Sequence, residues 1–128
     1  MRYYLILFFL ISSLSAQSYS YNALLWQDDS GVSAQEYDQD EAKAYCESLE
    51  LEGYYNWRLP SLEELFSLID ISKRSPAVVD GISTCAKDYY WSSTIFASDN
   101  YSYWSIDFTT GKTKVFSPGT SLFVRCVR

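Results

Sequence analysis

The chain has 128 residues, of which 48% are hydrophobic and 20% are charged; this is typical of one globular domain and excludes an intrinsically disordered chain. Its net charge of −6 disfavours binding to nucleic acid or to anionic lipid, because like charges repel. The sequence contains no histidine, which excludes Ser-His-Asp catalysis, Cys-His catalysis and histidine-based zinc sites.

The N-terminal segment has the pattern of a secretory signal peptide. Arg2 precedes the apolar run 3–14, and small residues follow that run. The run is too short to cross a bilayer comfortably. Cleavage fits after either Ala16 or Ser18, and an uncleaved N-terminal anchor is the alternative.

We therefore expect a signal peptide over residues 1–18 and a single domain over residues 19–128. The domain is expected to be periplasmic, or secreted or at the cell surface. Cleavage removes Arg2 and makes the net charge more negative. The mature domain is expected to bind no nucleic acid because of its charge. It is also expected to have no stable membrane insertion, because cleavage removes the apolar run.

Two helices are predicted in the first half of the domain. After a first strand over residues 21–27, Asp38 and Glu41 have the spacing of a capping box, which predicts a helix over residues 39–50. A second helix is predicted over residues 62–71, where apolar residues recur at helical intervals.

The start of the second helix is sharply defined by the sequence. Pro60 biases Leu59 toward extended backbone. Ser61 and Glu64 then have the spacing of a second capping box. The chain is therefore expected to be extended up to Leu59 and helical just after Ser61.

The second half of the chain has a β pattern. Strands are predicted over residues 89–94, 101–108, 112–116 and 122–127, with turns at Thr110-Gly111 and Pro118-Gly119. Trp104 and Ile106 are expected on one face of the second of these strands, and Tyr103 and Ser105 on the other. The last strand is almost continuously apolar, which favours a central position. Residues 72–87 show no period and are predicted to form a long loop, so the overall class is α+β.

Several short motifs occur as an ordered set and together carry a family resemblance. They are Trp26, Tyr45-Cys46, Trp57-Arg58-Leu59-Pro60, Tyr90-Trp91-Ser92-Ser93-Thr94 and Val124-Arg125-Cys126-Val127-Arg128. The set resembles the domain at the C-terminal end of the Legionella collagen-like protein, over about residues 26–128. That family is similar to the formylglycine-generating branch of the C-type-lectin-like fold. The resemblance implies two helices packed on a mostly antiparallel twisted sheet, with the N- and C-terminal strands adjacent.

The resemblance also implies a disulfide bond between Cys46 and Cys126, because a bond from the first helix to the last strand recurs in this fold. Cys85 is left either as a buried free thiol or as a thiol that pairs between molecules. The residues expected to have a structural role are Trp57, Arg58, Leu59, Pro60, Ser61, Glu64, Trp91 and Arg125. Arg58 and Arg125 are expected to be partly buried and to pair with a carboxylate or with carbonyl groups, with contact to a ligand as the alternative.

Catalysis and metal binding are not favoured by the sequence. Carboxylate pairs such as Glu63-Glu64 fall at a predicted helix N-terminus, where they stabilise the helix dipole. Trp91-Ser92-Ser93 stands where the resembled lectins place a calcium-binding carboxylate. The oxidase branch of the fold needs two reactive cysteines, and Cys85 and Cys126 are the candidates. We expect no catalytic residue, no cofactor and no metal, with calcium-dependent sugar binding and a divergent oxidase as the disfavoured alternatives.

The best binding candidate is the segment over residues 98–104, which mixes Tyr, Ser, Asn and Trp as adaptable recognition loops do. Its candidate ligand-binding residues are Asp99, Asn100, Tyr101, Tyr103 and Trp104. Aromatic faces pack on the apolar side of sugar rings, while the polar groups hydrogen-bond to hydroxyls. An ordinary loop followed by a strand is the alternative interpretation of this segment.

The aromatic content bears on function as well, since twelve Tyr, seven Phe and four Trp are present. Such a content fits either a core filled with rings or an aromatic ligand surface. The expected function is an exported, non-catalytic module that recognises a glycan or an envelope protein, in carbohydrate binding or adhesion. The alternative is a structural or assembly module of an envelope or secreted complex.

Overall fold

The structure is a computed structural model that describes residues 17–83 and 85–128. The predicted signal peptide lies almost wholly outside the described residues. The elements are β1 (Ser18–Tyr21), β2 (Leu24–Gln27), a short 3-10 helix (Ser30–Ser33), α1 (Gln39–Ser48), α2 (Leu62–Phe66), β3 (Tyr89–Ile95), β4 (Tyr103–Asp107) and β5 (Thr113–Phe116). Two helices with antiparallel sheets confirm the α+β class.

The predicted first strand is in fact the second half of a hairpin. β1 and β2 are antiparallel, with Ser18 opposite Gln27. The chain turns between them at Asn22 and Ala23, whose φ values are 52° and 62°. Two consecutive positive φ values are the geometry of a two-residue hairpin turn. Asparagine tolerates this conformation but alanine does not favour it, so the sequence carries only half of the usual turn signal.

Helix α1 begins where its capping box predicts. The Asp38 carboxylate accepts a hydrogen bond from the backbone N–H of Glu41 at 2.8 Å, and the Glu41 carboxylate accepts one from the N–H of Asp38 at 3.4 Å. The helix ends at Ser48, close to the predicted end. Ala42 and Cys46 lie one turn apart in this helix and are both buried, so they belong to its core-facing side.

Helix α2 begins as predicted at its own capping box but ends at Phe66, well before the predicted end. The backbone beyond it bonds elsewhere, because Leu68 O accepts from Val79 N at 2.9 Å and Asp70 N donates to Ala77 O at 2.9 Å. These long-range bonds replace the hydrogen bonds that a continued helix would make. The apolar residues of the segment pack in the core, as their spacing predicts, but the segment is not helical beyond Phe66.

The larger of the two sheets in the described residues has the order β3-β4-β5 and is antiparallel. Its register shifts between Trp91 and Ile95, which marks a bulge in β3. The predicted alternation along β4 is confirmed, since Ile106 belongs to one core cluster and Tyr103 packs against the other. The turn before β5 contains Gly111 with a φ of +80°, as the Thr110-Gly111 prediction requires.

The predicted last strand, residues 122–127, is central but is not a regular strand. Its pairings are single bridges to different neighbours, which are Tyr37, Tyr90, Arg58 and Trp26. Because these bridges go to several different parts of the chain, the segment does not form a continuous ladder of hydrogen bonds with any one strand. Gln27 N donates to Cys126 O at 3.0 Å, so the N- and C-terminal segments are adjacent as predicted.

Two apolar clusters form the core, one on each face of the β3-β4 sheet. One contains Trp26, Val32, Leu65, Leu68, Val78, Tyr90, Ile106, Phe108 and Val127, and the other contains Ala42, Cys46, Leu51, Trp57, Leu59, Trp91, Leu122, Val124 and Cys126. Tyr90 and Trp91 are adjacent in β3 and point to opposite clusters, as strand geometry requires. A disulfide bond joins Cys46 to Cys126, and Cys85 is a free thiol.

We predict that the disulfide contributes a large part of the stability. The bonded cysteines are separated by 80 residues, and closing a loop of that length stabilises the folded state by about 4–5 kcal/mol in the chain-entropy model. Urea denaturation should show that the double variant Cys46→Ala/Cys126→Ala has a free energy of unfolding lower by about 4–5 kcal/mol. A variant that is already unfolded without urea would agree with the same prediction. Cys85→Ala, the matched control, should change the free energy of unfolding by less than about 1.5 kcal/mol.

A non-reducing peptide map gives an independent check of the same bond. A bridge that contains Cys85 would contradict the assignment. So would a double variant with nearly unchanged stability.

Candidate ligand-binding site

The loop between β3 and β4 is shaped by Asp99. Its carboxylate accepts hydrogen bonds from the N–H groups of Tyr101 and Ser102, both at 2.9 Å, and from the Ser102 hydroxyl at 2.6 Å. The Ser102 hydroxyl is the main cause of the lowered pKa of Asp99. Asp99 therefore acts within the loop, while Tyr101 is presented to solvent with 62% of its surface exposed.

The other two aromatic candidates lie on opposite faces of β4. Tyr103 contacts the Trp91 ring edge-on at 6.4 Å, and Trp104 contacts the Phe96 ring edge-on at 5.4 Å. Adjacent residues of a strand cannot share a face. The structure thus keeps the loop residues together, but it does not bring Tyr103 and Trp104 to one surface.

A concave site lies on the Tyr103 side of the sheet, and we call it the polar cleft. It has a volume of about 210 Å³ and is lined by Gln39, Lys43, Glu47, Arg58, Leu59, Ser93 and Tyr103. Gln39 and Leu59 are only 5% and 6% exposed, so they form its floor, and the more exposed side chains form its rim. Of these residues, Tyr103 is a predicted ligand contact, and Arg58 is one in its alternative interpretation.

The walls of the polar cleft follow from local sequence rules. Gln39, Lys43 and Glu47 are spaced by four residues and therefore lie on one face of α1. Opposite them, Ser93 N donates to Pro60 O at 2.8 Å, which ties β3 to the extended chain before α2.

Gln39, at the floor of the cleft, also has a side-chain oxygen that is buried out of contact with solvent. Its Nε2 donates to Ser92 O at 3.3 Å, and its backbone N–H donates to Pro118 O at 2.9 Å. Among the described residues, no group bonds to the buried Gln39 Oε1. Flipping the amide would place two carbonyl oxygens against each other, so the Ser92 carbonyl fixes its orientation. A buried acceptor without a donor costs about 1–3 kcal/mol.

The rim of the cleft carries balanced charges. Arg58 donates two hydrogen bonds to the Glu64 carboxylate, each at 2.7 Å, which confirms the predicted pairing of Arg58. This Arg58 pair is the largest cause of the lowered pKa of Glu64, about 2. Lys43 and Glu47 lie one turn apart on α1. Each cation of the rim therefore has a carboxylate close by.

A second concavity lies at the start of α2, and we call it the apolar groove. It has a volume of about 520 Å³ and is lined by Ser61, Leu62, Glu63, Phe66, Ser67 and Thr94. Thr94 joins its two sides, because its hydroxyl accepts a hydrogen bond from the backbone N–H of Leu62 at 2.9 Å. Phe66 is 50% exposed beside it, so this surface offers apolar contact rather than hydrogen bonds.

Arg125 is a structural residue. Its side chain is fully buried, it lies 3.1 Å from the Asp28 carboxylate, and it donates to Gln27 O at 2.5 Å. The Cys85 sulfur lies 3.5 Å from the same guanidinium, and burial raises the pKa of this thiol. A raised thiol pKa disfavours the reactive thiolate. The structure confirms the expected carboxylate partner of Arg125. The Arg125 side chain is, however, completely buried rather than partly buried as expected.

Within residues 17–83 and 85–128, no three His, Cys, Asp or Glu side chains cluster in a way that would hold a metal ion. No helix in that part of the chain is long and apolar enough to cross a membrane.

We predict that the Arg58–Glu64 pair gives the fold an acid-sensitive contribution. Glutamine can also serve in a capping box, so Glu64→Gln keeps the cap and removes the charge. At pH 7 it should lower the free energy of unfolding by about 1–2 kcal/mol, allowing for the half-exposed Arg58. The pKa of Glu64 is lower in the folded state than the unfolded value of 4.5. The difference in free energy of unfolding between the wild type and Glu64→Gln should therefore be largest above pH 4.5 and should vanish as the pH falls toward 2.

Glu63→Gln is the matched control for this titration, because it removes a charge from the same helical turn and leaves the Arg58 pair intact. Denaturant unfolding from pH 7 down to pH 2 measures both variants. A pH-independent loss in Glu64→Gln would contradict the assignment.

Comparison with known proteins adds one positive finding. The family model of the Lcl C-terminal domain matches residues 20–128, which is nearly all of the described chain. A comparison with curated proteins gives no significant match. The family and the disulfide indicate a bacterial secreted or surface-associated domain, and they agree with the resemblance carried by the sequence motifs. The chain belongs to the Lcl C-terminal domain family.

Proposed function

We propose that the domain is an exported, non-catalytic binding module that recognises a glycan or a protein surface at the bacterial cell envelope or outside the cell. The polar cleft is the observation that carries the proposal. Ligand sites are concave and present a few convergent polar groups beside apolar or aromatic side chains. The cleft has this composition, with Gln39 at its floor and Tyr103 at its rim.

A glycan suits the cleft better than a protein surface does. Its volume of about 210 Å³ is below the roughly 300 Å³ at which sites for drug-sized ligands begin, so it suits one small unit of a larger ligand. Protein surfaces usually dock on wider and flatter areas. The exposed Tyr101 lies two residues from Tyr103 along the chain and is a candidate for contacting a neighbouring unit.

A screen of glycans and envelope proteins tests this function. Tyr103→Ala should weaken binding by about tenfold, because lost aromatic packing is worth about 0.5–1.5 kcal/mol beyond buried area. Tyr101→Ala should weaken binding to a longer glycan less. Trp104→Ala is the matched control on the opposite face, and it should leave affinity unchanged once its folding is verified by thermal unfolding.

Binding that survives Tyr103→Ala and Tyr101→Ala would reject these residues as the contact site. A domain that binds nothing in either screen would reject the binding function.

The apolar groove favours a second candidate, a structural or assembly module of an envelope complex. Exposed apolar surface next to a concavity is typical of protein contacts. Phe66→Ser should then release a specific envelope protein from the immobilised domain, while Tyr103→Ala should retain it. The binding-module proposal predicts the reverse pattern for glycan retention.

A further inference from the structure

We propose that the mature domain begins at Gln17 and that the carboxylate of Glu52 holds the new α-ammonium group of Gln17. The sequence allows cleavage of the predicted signal peptide after either Ala16 or Ser18. In the proposed cut, a signal peptidase hydrolyses the peptide bond between Ala16 and Gln17. Water supplies a hydroxyl group to the Ala16 carbonyl carbon and a proton to the Gln17 nitrogen. The proton that the new carboxyl group then loses makes this nitrogen an ammonium group at pH 7.

The Glu52 carboxylate accepts its hydrogen bonds from the first residues that the structure describes. Glu52 Oε1 accepts from the backbone nitrogen of Gln17 at 2.8 Å, and Glu52 Oε2 accepts from the Ser18 hydroxyl. In the precursor the Gln17 nitrogen belongs to a peptide bond and carries no charge. The proposed cut therefore turns an existing hydrogen bond into an ion pair without moving either atom.

Glu52 lacks a positive partner in the precursor. Within residues 17–83 and 85–128, the ion pairs of Lys and Arg involve the carboxylates of Glu64, Asp80 and Asp28, and none involves Glu52. The Ser18 hydroxyl, and after it the Gln17 N–H, lowers the pKa of Glu52, so this carboxyl group is ionised at pH 7. The ammonium group created by the cut supplies the missing positive charge.

Both partners are held in place by their own backbone. Glu52 has a φ of 52° in a tight turn over residues 51–54, which is closed by backbone hydrogen bonds of 2.9 and 3.2 Å across its ends. Gln17 is held on the other side, because its carbonyl oxygen accepts from the N–H of Asp28 at 2.8 Å. The ion pair therefore forms with little further loss of backbone conformational entropy.

The alternative cut, after Ser18, would remove contacts that the fold uses. The Gln17 carbonyl serves the backbone N–H of Asp28, a residue that is only 5% exposed and pairs with the buried Arg125. Ser18 is the first residue of β1 and lies opposite Gln27. A chain that began after Ser18 would lose this acceptor, one residue of β1 and both donors to Glu52. The cut after Ala16 keeps all of them.

The first test identifies the N-terminal residue of the exported protein. The full-length precursor is expressed in a bacterial host, and the exported product is studied by N-terminal sequencing and intact mass. The expected product begins at Gln17. A product that begins at Tyr19, or an uncleaved chain that begins at Met1, overturns the inference.

The second test asks whether Glu52 holds the ammonium group. An N-terminal glutamine cyclises when its unprotonated amine attacks its own side-chain amide carbon; a ring C–N bond forms, the bond to the amide nitrogen breaks, and ammonia leaves. An ammonium group cannot attack, so pairing with Glu52 slows this reaction. Glu52→Gln keeps an oxygen that accepts hydrogen bonds and removes the charge. It should speed the loss of ammonia at pH 7, followed by intact mass, by about two- to fivefold, the factor typical of an exposed ion pair.

Glu50→Gln is the matched control, because Glu50 is an exposed carboxylate nearby in the chain that accepts from the Tyr55 hydroxyl and not from the N-terminus. It should leave the rate of ammonia loss unchanged. Equal rates in the wild type and in Glu52→Gln overturn the inference, and so does an equal acceleration by both variants. This maturation step is independent of the binding function proposed above, so neither result bears on that function.

Discussion

The C-terminal segment is the part of the molecule on which the rest of the fold depends. Its backbone exchanges hydrogen bonds with β2, with Tyr37 before α1, with Arg58 before α2 and with β3. Four stretches that are distant in sequence therefore meet on one extended and largely buried strip of chain. The Cys46–Cys126 bond then joins α1 covalently to the same strip. Because each neighbour uses different backbone groups of the strip, none can shift without breaking its own hydrogen bonds.

A buried charge lies within this strip and further constrains the N-terminal half. Arg125 is surrounded by the Tyr90 and Phe108 rings, whose centroids lie 5.9 and 5.6 Å from its guanidinium carbon. A buried ion pair contributes little net stability against an apolar alternative, but breaking one is costly. The main effect of the Arg125–Asp28 pair is to hold Asp28 in place. Asp28, which pairs with Arg125, also accepts hydrogen bonds from the N–H and hydroxyl of Ser83, and so it anchors the long loop to the core.

The sequence predicted the features that depend on neighbouring residues and missed those that depend on distant ones. Both capping boxes involve residues three apart, so the starts of α1 and α2 were predictable. The end of α2 was not, because Leu68 and Asp70 bond to a segment that no local pattern connects to them. The alternation along β4 was predictable, yet it should have shown that Tyr103 and Trp104 cannot share a surface. The cleft joins α1, β3 and β4, and so it emerges only in three dimensions.

The buried oxygen of Gln39, unpaired among the described residues, is a cost that a small domain must offset elsewhere in its structure. An unpaired buried acceptor lowers stability, and folded proteins have only about 5–15 kcal/mol to lose. The stabilisation of about 4–5 kcal/mol expected from the long disulfide-closed loop is larger than that cost. The walls of the cleft are a helix and a sheet held by the same C-terminal strip, so a ligand need not order them on binding. In the proposed function, a cleft that is this small and preorganised would gain selectivity from the fit of its ligand.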